Sequence, residues 1–199
     1  MRSLDGGWAN SNYLLTLEDD SQLVLKVWDE RPPEEVEQLI VHTCWLADHG
    51  VLTPVPLQLE GGGRMLVKNG LAWMLMPYIA GGWLPSDPAS MHALGKAQAH
   101  LHGVPVHDSI PTDFAIGYVL WERLIEEARN GDSMTPFLQM LEDEIPLLKQ
   151  RIPADIPCGV IHGDLYPDNV IGREGEVLAL LDFEEICVES LAMDLSLIH

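Results

Sequence analysis

The chain has 199 residues, of which 47% are hydrophobic, and its 31 acidic against 11 basic side chains give a formal net charge of −20 at pH 7. This composition predicts a folded globular protein and argues against a nucleic-acid partner, because phosphate neutralisation needs clustered Lys and Arg. The apolar runs fall short of the roughly 20 residues that cross a bilayer, and the start lacks the apolar stretch of a secretory signal, so we expect a cytoplasmic protein with no membrane contact.

The first part of the chain has the pattern of β-strands with one helix. Apolar runs between polar turns predict strands over 12–17, 23–28, 55–59, 64–67 and 72–76. Apolar residues at helical spacing predict a helix over 34–49, which Gly50 would end.

After residue 82 the pattern becomes mainly helical. Asp87 followed by Pro88 predicts the start of a helix that runs to about residue 102. Two further helices are predicted over 116–130 and 136–151, the second begun by Thr135 and Pro136. Short strands are predicted over 160–162, 169–171 and 177–181. This order predicts an α+β protein with two lobes, a β-rich N-terminal lobe over 1–78 and a mainly helical C-terminal lobe over 79–199.

Two short segments late in the chain carry side chains suited to phosphoryl transfer: His-Gly-Asp-Leu-Tyr-Pro-Asp-Asn at 162–169 and Asp-Phe-Glu at 182–184. That reaction needs a carboxylate that orients the acceptor hydroxyl, which Asp164 can supply, and oxygen ligands for Mg²⁺. Asn169 and Asp182 can supply those oxygens. The order and spacing match the protein-kinase pattern H-R-D-x-x-x-x-N followed by D-F-G, which predicts a two-lobed protein-kinase-like fold with the catalytic loop in the late β-hairpin.

A wider resemblance covers nearly the whole chain. Its segments at 6–13, 159–170, 181–183 and 192–195 resemble the patterns G-G-x-x-N-x-N-Y, G-V-I-H-x-D-L-x-P-D-N-V, I-D-F and A-x-D-L. These are patterns of the aminoglycoside phosphotransferase / choline kinase superfamily, and within it the chain most resembles the bacterial homoserine kinases of that fold. The resemblance is specific for the superfamily and less specific for the acceptor.

The resemblance implies a role for each matching residue. Asp164 would be the catalytic residue, Asn169 and Asp182 would bind Mg²⁺, and Asp194 would brace the catalytic loop. The cofactors would be ATP and Mg²⁺. Glycines at the start permit close approach of a loop to the ATP phosphates, and the segment from Met76 to Tyr78 would be the hinge that binds adenine. The predicted nucleotide contacts in these two segments are Gly6, Gly7, Ser11, Asn12, Met76 and Tyr78.

Lys26 lies in the middle of a predicted strand. Alternation alone is equally consistent with a solvent-facing lysine, whereas the resemblance implies that Lys26 contacts the ATP phosphates. Homoserine kinases of this type often lack this lysine. Its glutamate partner would be in the first turn of the following helix, where acidic residues are favoured by the helix dipole in any case. Among Glu34, Glu35 and Glu37, we select Glu37.

We therefore expect an ATP- and Mg²⁺-dependent kinase that phosphorylates an alcohol hydroxyl of a small molecule, with a homoserine-like acceptor favoured. The alternatives are a choline- or aminoglycoside-type kinase, towards which the acidic composition points, and a catalytically inert nucleotide-binding fragment. Family members usually continue well beyond the position of His199. We accordingly expect an incomplete C-terminal lobe, whose open apolar face would be covered by a second copy in a homodimer or by another partner.

Overall fold

The computed structural model describes residues 1–4, 10–153 and 155–197. The chain divides into two compact units, the first formed by Met1–Leu101 with Tyr166–Phe183 and the second by His102–Leu165 with Glu184–His199. The first unit thus takes its residues from two separate stretches of the sequence. The predicted boundary at residue 78 separates a nucleotide-binding lobe from a catalytic lobe, which is a division by function and not by compactness, and it stays a prediction.

The described strands and helices follow one another in mixed order. In chain order they are β1 (Arg2–Ser3), β2 (Asn10–Thr16), β3 (Gln22–Trp28), α1 (Pro33–Asp48), β4 (Leu66–Lys68), β5 (Leu71–Pro77), β6 (Gly82–Trp83), α2 (Pro88–His102), α3 (Tyr118–Asn130), α4 (Pro136–Arg151), β7 (Cys158–Ile161), β8 (Val170–Arg173), β9 (Glu176–Leu180), β10 (Cys187–Ser190) and α5 (Leu191–Leu197). Two 3₁₀ turns, Pro167–Asn169 and Phe183–Glu185, interrupt the last part.

The main sheet of the first unit is antiparallel, with its five strands in the order β1-β2-β3-β5-β4. The turn between β2 and β3 closes at Asp20, whose φ of 65° is left-handed and is tolerated by a short polar side chain. Helix α1 begins at a proline, as the missing N–H of proline allows. Its residue Val36 joins a core cluster with Trp28, Ala72 and Met74 from the sheet.

The strand predicted over 55–59 is wrong. Pro54 and Pro56 lack the backbone N–H that a sheet ladder needs, so this segment is irregular, although Leu57 N still donates a hydrogen bond to Leu75 O at 2.7 Å. The strand predicted over 64–67 begins two residues later and ends one residue later, as β4. The remaining strands of this sheet, apart from β1, lie close to their predicted positions.

A second sheet of the first unit has the order β6-β8-β9 and contains the predicted late hairpin. Its turn residue Gly175 donates a backbone hydrogen bond to Ser90 Oγ at 3.0 Å, which connects the hairpin to the start of α2. That helix is capped as the sequence predicts, because the Asp87 carboxylate accepts hydrogen bonds from Ala89 N and Ser90 N at 2.9 and 3.0 Å.

The second unit combines the helices α3 and α4 with the strand pair β7–β10 and helix α5. Thr135 caps α4 by accepting a hydrogen bond from Leu138 N at 3.2 Å, as its predicted Thr-Pro start requires. In the strand pair, Ile161 lies opposite Cys187. None of the helices in the described part of the chain has both the length and the apolar character that a bilayer span requires.

Candidate active site

The first unit brings together two predicted site residues that are far apart in sequence. Lys26 Nζ donates a hydrogen bond to Asp182 Oδ1 at 2.5 Å, and the two side chains are 9% and 41% exposed. Lys26 lies in strand β3, whereas Asp182 lies just after β9 and has a left-handed φ of 56°. Aspartate tolerates this conformation better than most residues, so the chain can turn there without glycine. The pair places one positive and one negative group at a partly open position.

Asn169, the second predicted metal ligand, is attached to the same part of the first unit. It ends the 3₁₀ turn that precedes β8, where its N–H donates to Tyr166 O at 2.9 Å. Its own carbonyl accepts a hydrogen bond from Leu181 N at 2.8 Å. The backbone at residue 169 is therefore hydrogen-bonded to the residue immediately before Asp182.

The donor set of these two residues fits magnesium. An amide oxygen and a carboxylate are hard oxygen ligands, and Mg²⁺ usually takes only one or two protein ligands, completing its shell with phosphate oxygens and water. Within the described ranges, no three His, Cys, Asp or Glu side chains group as a metal site of their own. A magnesium ion at Asn169 and Asp182 would thus depend on the nucleotide phosphates for further ligands.

Asp164 lies in the second unit, on the loop that leaves β7. Its backbone N–H donates to His162 Nδ1 at 3.3 Å, and its side chain is partly exposed. The His162 side chain itself is fully buried. The loop thus places a partly exposed aspartate two positions after a buried histidine.

Asp194, from the start of α5, holds this loop by its backbone. Its fully buried carboxylate accepts hydrogen bonds from His162 N and Gly163 N, both at 2.9 Å. A third contact joins His102 Nε2 to Asp194 Oδ2 at 3.0 Å. Burial, the largest single influence, raises the pKa of Asp194, but the hydrogen bonds from these three residues together hold that pKa below its ordinary value. These contacts are those of a brace, the role that the sequence resemblance implied.

Gly163 is required at its position for two reasons. Its φ of 81° is left-handed, and a Cβ built there would lie 2.4 Å from Glu185 O. Only a residue without a side chain permits this close approach of the loop to the segment before β10.

The other predicted nucleotide contacts are less closely grouped. Gly6 and Gly7 lie outside the described residues. Ser11 Oγ donates to Asp29 Oδ2 at 2.6 Å, and Asn12 lies opposite Lys26 in the β2–β3 register. The ATP contacts of Ser11 and Asn12 stay predictions.

The remaining predicted contacts lie on α1 and at the end of β5. Glu34, Glu35 and Glu37 are all exposed on α1, and the ion pair of Glu35 is with Arg31 at 3.5 Å. The pairing of Glu37 with Lys26 therefore stays a prediction. Met76 is partly buried against the core cluster, and Tyr78 follows β5.

Sequence reasoning missed His102 and Trp28. The ring of His102 contacts the Asp194 carboxylate. Trp28 joins the core cluster, and Lys26 Nζ also lies 4.3 Å from the centroid of its ring. A tryptophan two positions after a strand lysine lies on the same face of the sheet, and this spacing is the signal that could have identified it.

Comparison with known proteins finds relatives along nearly the whole chain. The chain is 33% identical over 195 residues to the homoserine kinase of Chelativorans sp., and the match covers 96% of this chain and 60% of the relative. It is 32% identical over 196 residues to the homoserine kinase of Rhizobium rhizogenes, with the same coverage of 96% and 60%. The chain therefore spans about 60% of the length of these curated relatives.

Solved structures identify the fold. A spectinomycin phosphotransferase in complex with ADP and spectinomycin matches with a TM-score of 0.70 at 16% identity, covering 98% of this chain and 67% of that one. An amicoumacin kinase in complex with AMP-PNP, Ca²⁺ and its ligand matches with a TM-score of 0.71 at 19% identity, covering 99% and 63%. The predicted protein-kinase-like α+β fold is confirmed. A model of the phosphotransferase enzyme family also matches residues 1–199, so the chain belongs to that family.

Proposed function

We propose that the chain is the nucleotide-binding and catalytic part of a small-molecule kinase, which transfers the γ-phosphoryl group of ATP to an alcohol hydroxyl. The observation that carries the proposal is the contact between Lys26 and Asp182, 156 residues apart in sequence, at 2.5 Å. The resemblance implies phosphate binding for Lys26 and Mg²⁺ binding for Asp182, and the role of Asp182 also follows from the order and spacing of the kinase-like motifs. Their contact supports a common nucleotide–metal site.

In the proposed reaction each residue has a distinct task. Lys26 binds a phosphate oxygen, and Asn169 and Asp182 hold Mg²⁺, which when bound neutralises the charge of the β- and γ-phosphates. Asp164 orients the acceptor hydroxyl and accepts its proton as the new oxygen–phosphorus bond forms. The bond between the γ-phosphorus and the bridging oxygen breaks, and ADP leaves with that oxygen. Asp194 keeps the loop backbone in place throughout.

We propose a homoserine-like acceptor, which carries an ammonium group, a carboxylate and the reacting hydroxyl. The relatives named as homoserine kinases are 33% and 32% identical to this chain, whereas the antibiotic kinases of known structure are 16% and 19% identical. A choline- or aminoglycoside-type acceptor is the alternative, and the net charge of −20 supports it because those acceptors are cationic.

A second candidate function is nucleotide binding without turnover. It is supported by the length of the chain, which spans about 60% of its curated relatives. The experiment that separates the two candidates measures Mg-ATP binding by calorimetry and then ADP release with homoserine, choline and an aminoglycoside. Binding together with acceptor-dependent ADP release supports the kinase, and binding alone supports the inert module. Absence of Mg-ATP binding would contradict both.

The Asp164→Asn variant tests the catalytic assignment. We expect it to reduce kcat by at least about 100-fold, because the amide cannot accept the hydroxyl proton, while Mg-ATP affinity stays the same. Asp108→Asn is the matched control, since Asp108 is exposed in the same unit and has no role in the proposal. Retention of kcat in Asp164→Asn would show that Asp164 is not the proton acceptor.

A further inference from the structure

The ammonium group of Lys26 has an aromatic neighbour that the proposed reaction does not use. Lys26 and Trp28 alternate with Val27 along β3, so both side chains project from the same face of the sheet. Lys26 Nζ lies 4.3 Å from the centroid of the Trp28 ring. The residues are 7% and 3% exposed, so the contact is almost entirely removed from water.

We propose that Trp28 is a positioning residue for the nucleotide site, and this inference rests on the proposed function. Its indole face holds the Lys26 ammonium in place when the Asp182 carboxylate turns to a metal ion. Asp182 is the partner expected to move, because its side chain is 41% exposed and carries a second predicted role. Without the ring, the buried Lys26 ammonium would lose a favourable electrostatic contact when Asp182 turns to the metal.

The ring is well suited to this task because its own position is fixed. Trp28 lies opposite Ala72 in the β3–β5 register, and the small side chain of Ala72 leaves room for the indole. Val36 of α1 and Met74 of β5 belong to the same buried cluster. A ring held by packing on several sides places the ammonium more precisely than a mobile side chain would.

An aromatic partner also differs electrostatically from a carboxylate. A cation–π contact stabilises the ammonium without adding a negative charge, and it is strongest where water is excluded. The full charge of Lys26 would then remain available to the phosphates. This matters in a chain with a net charge of −20, whose overall field opposes the approach of ATP.

The contact can be tested directly by nuclear magnetic resonance of the full chain labelled with ¹³C-lysine. The four lysines are Lys26, Lys68, Lys96 and Lys149. We expect the ε-methylene signal of Lys26, assigned by its loss in Lys26→Arg, to lie upfield of that of Lys96 because of the ring current. The shift should persist in Trp28→Phe and disappear in Trp28→Leu. A Lys26 signal at the position of Lys96 would overturn the proposal.

The functional test measures the affinity for Mg-AMP-PNP by calorimetry. We expect Trp28→Leu to weaken binding by roughly three- to tenfold, with Trp28→Phe close to the unsubstituted chain. In the Lys26→Met background, Trp28→Leu should cause no further loss, since the ammonium is already absent. A merely structural tryptophan would weaken binding equally with and without Lys26.

The matched control is Trp73→Leu. Trp73 lies opposite Val27, so it occupies the other face of the same sheet. If Trp28→Leu does not fold, Trp28→Phe against Trp28→Met makes the same comparison, with Phe retaining affinity and Met losing it. Equal affinities in the aromatic and aliphatic variants would overturn this inference alone. Failure of the unsubstituted chain to bind Mg-AMP-PNP would overturn the proposed function together with it.

Discussion

Two regions of the second unit differ in whether their hydrogen-bonded carboxylates are buried or exposed. Next to β7 and β10, Asp194 is completely buried and accepts hydrogen bonds from two backbone N–H groups. Between α3 and α4, Glu122 pairs with Lys149 at 2.6 Å, with side chains 51% and 46% exposed. Water solvates Glu122 and Lys149 whether or not they pair, so the formation of this ion pair gains little free energy. The buried N–H groups that donate to Asp194 have no water that could replace its carboxylate. Burial, rather than the presence of a partner, therefore decides how much each carboxylate contributes to the free energy of unfolding.

The apolar side chains of these regions differ in the same direction. Val160 and Ile161 of β7 are fully buried, whereas Phe137 and Met140 of α4 are 61% and 52% exposed. The strand region thus has a core of its own, and α4 presents apolar surface. The expected open apolar face of an incomplete lobe and the homodimer that would cover it both stay predictions.

The largest effect on the free energy of unfolding is expected from removal of the buried carboxylate. Asp194→Ala leaves His162 N and Gly163 N buried without an acceptor, so we expect the free energy of unfolding to fall by about 3–5 kcal/mol. Urea denaturation followed by circular dichroism measures it. Asp143→Ala on the exposed face of α4 is the control, for which we expect a change within about 0.5 kcal/mol. A similarly small change for Asp194→Ala would contradict the contrast between the regions.

An intermediate effect is expected at Gly163. Gly163→Ala combines a left-handed φ with a clash against Glu185 O, and we expect it to lower the free energy of unfolding by about 2–4 kcal/mol. Gly70→Ala is the control that measures the cost of the left-handed φ alone. Its φ of 80° is almost the same, and nothing lies within 4 Å of its added Cβ. That control should cost about 1 kcal/mol. Equal losses in the two variants would show that the close approach at Gly163 relaxes freely.

The smallest effect is expected at the exposed pair. Lys149→Met removes the charge but keeps most of the aliphatic chain, so we expect the free energy of unfolding to change by less than about 1 kcal/mol. Adding salt should reduce even this difference, because exposed charges are screened. A loss comparable with that of Asp194→Ala would mean that pairing, not burial, governs the stability of this unit.

Long elements with clear signals were predictable from the sequence. The α1 helix carries apolar residues at helical spacing, and α2 and α4 begin at the Asp-Pro and Thr-Pro signals that cap them. The strands β2, β3 and β5 are long enough for their apolar runs to identify them. Short elements were not predictable: β1, β6, β10 and α5 extend over two to seven residues and gain their stability from neighbours that a local pattern does not include.

The candidate site divides in the same way. The spacing from Asp164 to Asn169, followed by Asp182, predicted phosphoryl transfer without any structure, because it lies within short stretches of chain. The contacts of Trp28 and His102 were missed. A tryptophan or a histidine in an apolar setting is usually a packing residue, and nothing in the local sequence says which charged group lies beside it.

By itself the sequence determined the chemistry of this protein: which residues carry carboxylate, amide and ammonium groups, and in what order along the chain. Only the tertiary structure decided how each of those groups is held. It brings Lys26 to Asp182 across 156 positions and buries Asp194 under the loop that carries Asp164. The physical reason is that chemical identity is local, whereas burial and hydrogen bonding between distant residues follow from how the whole chain packs.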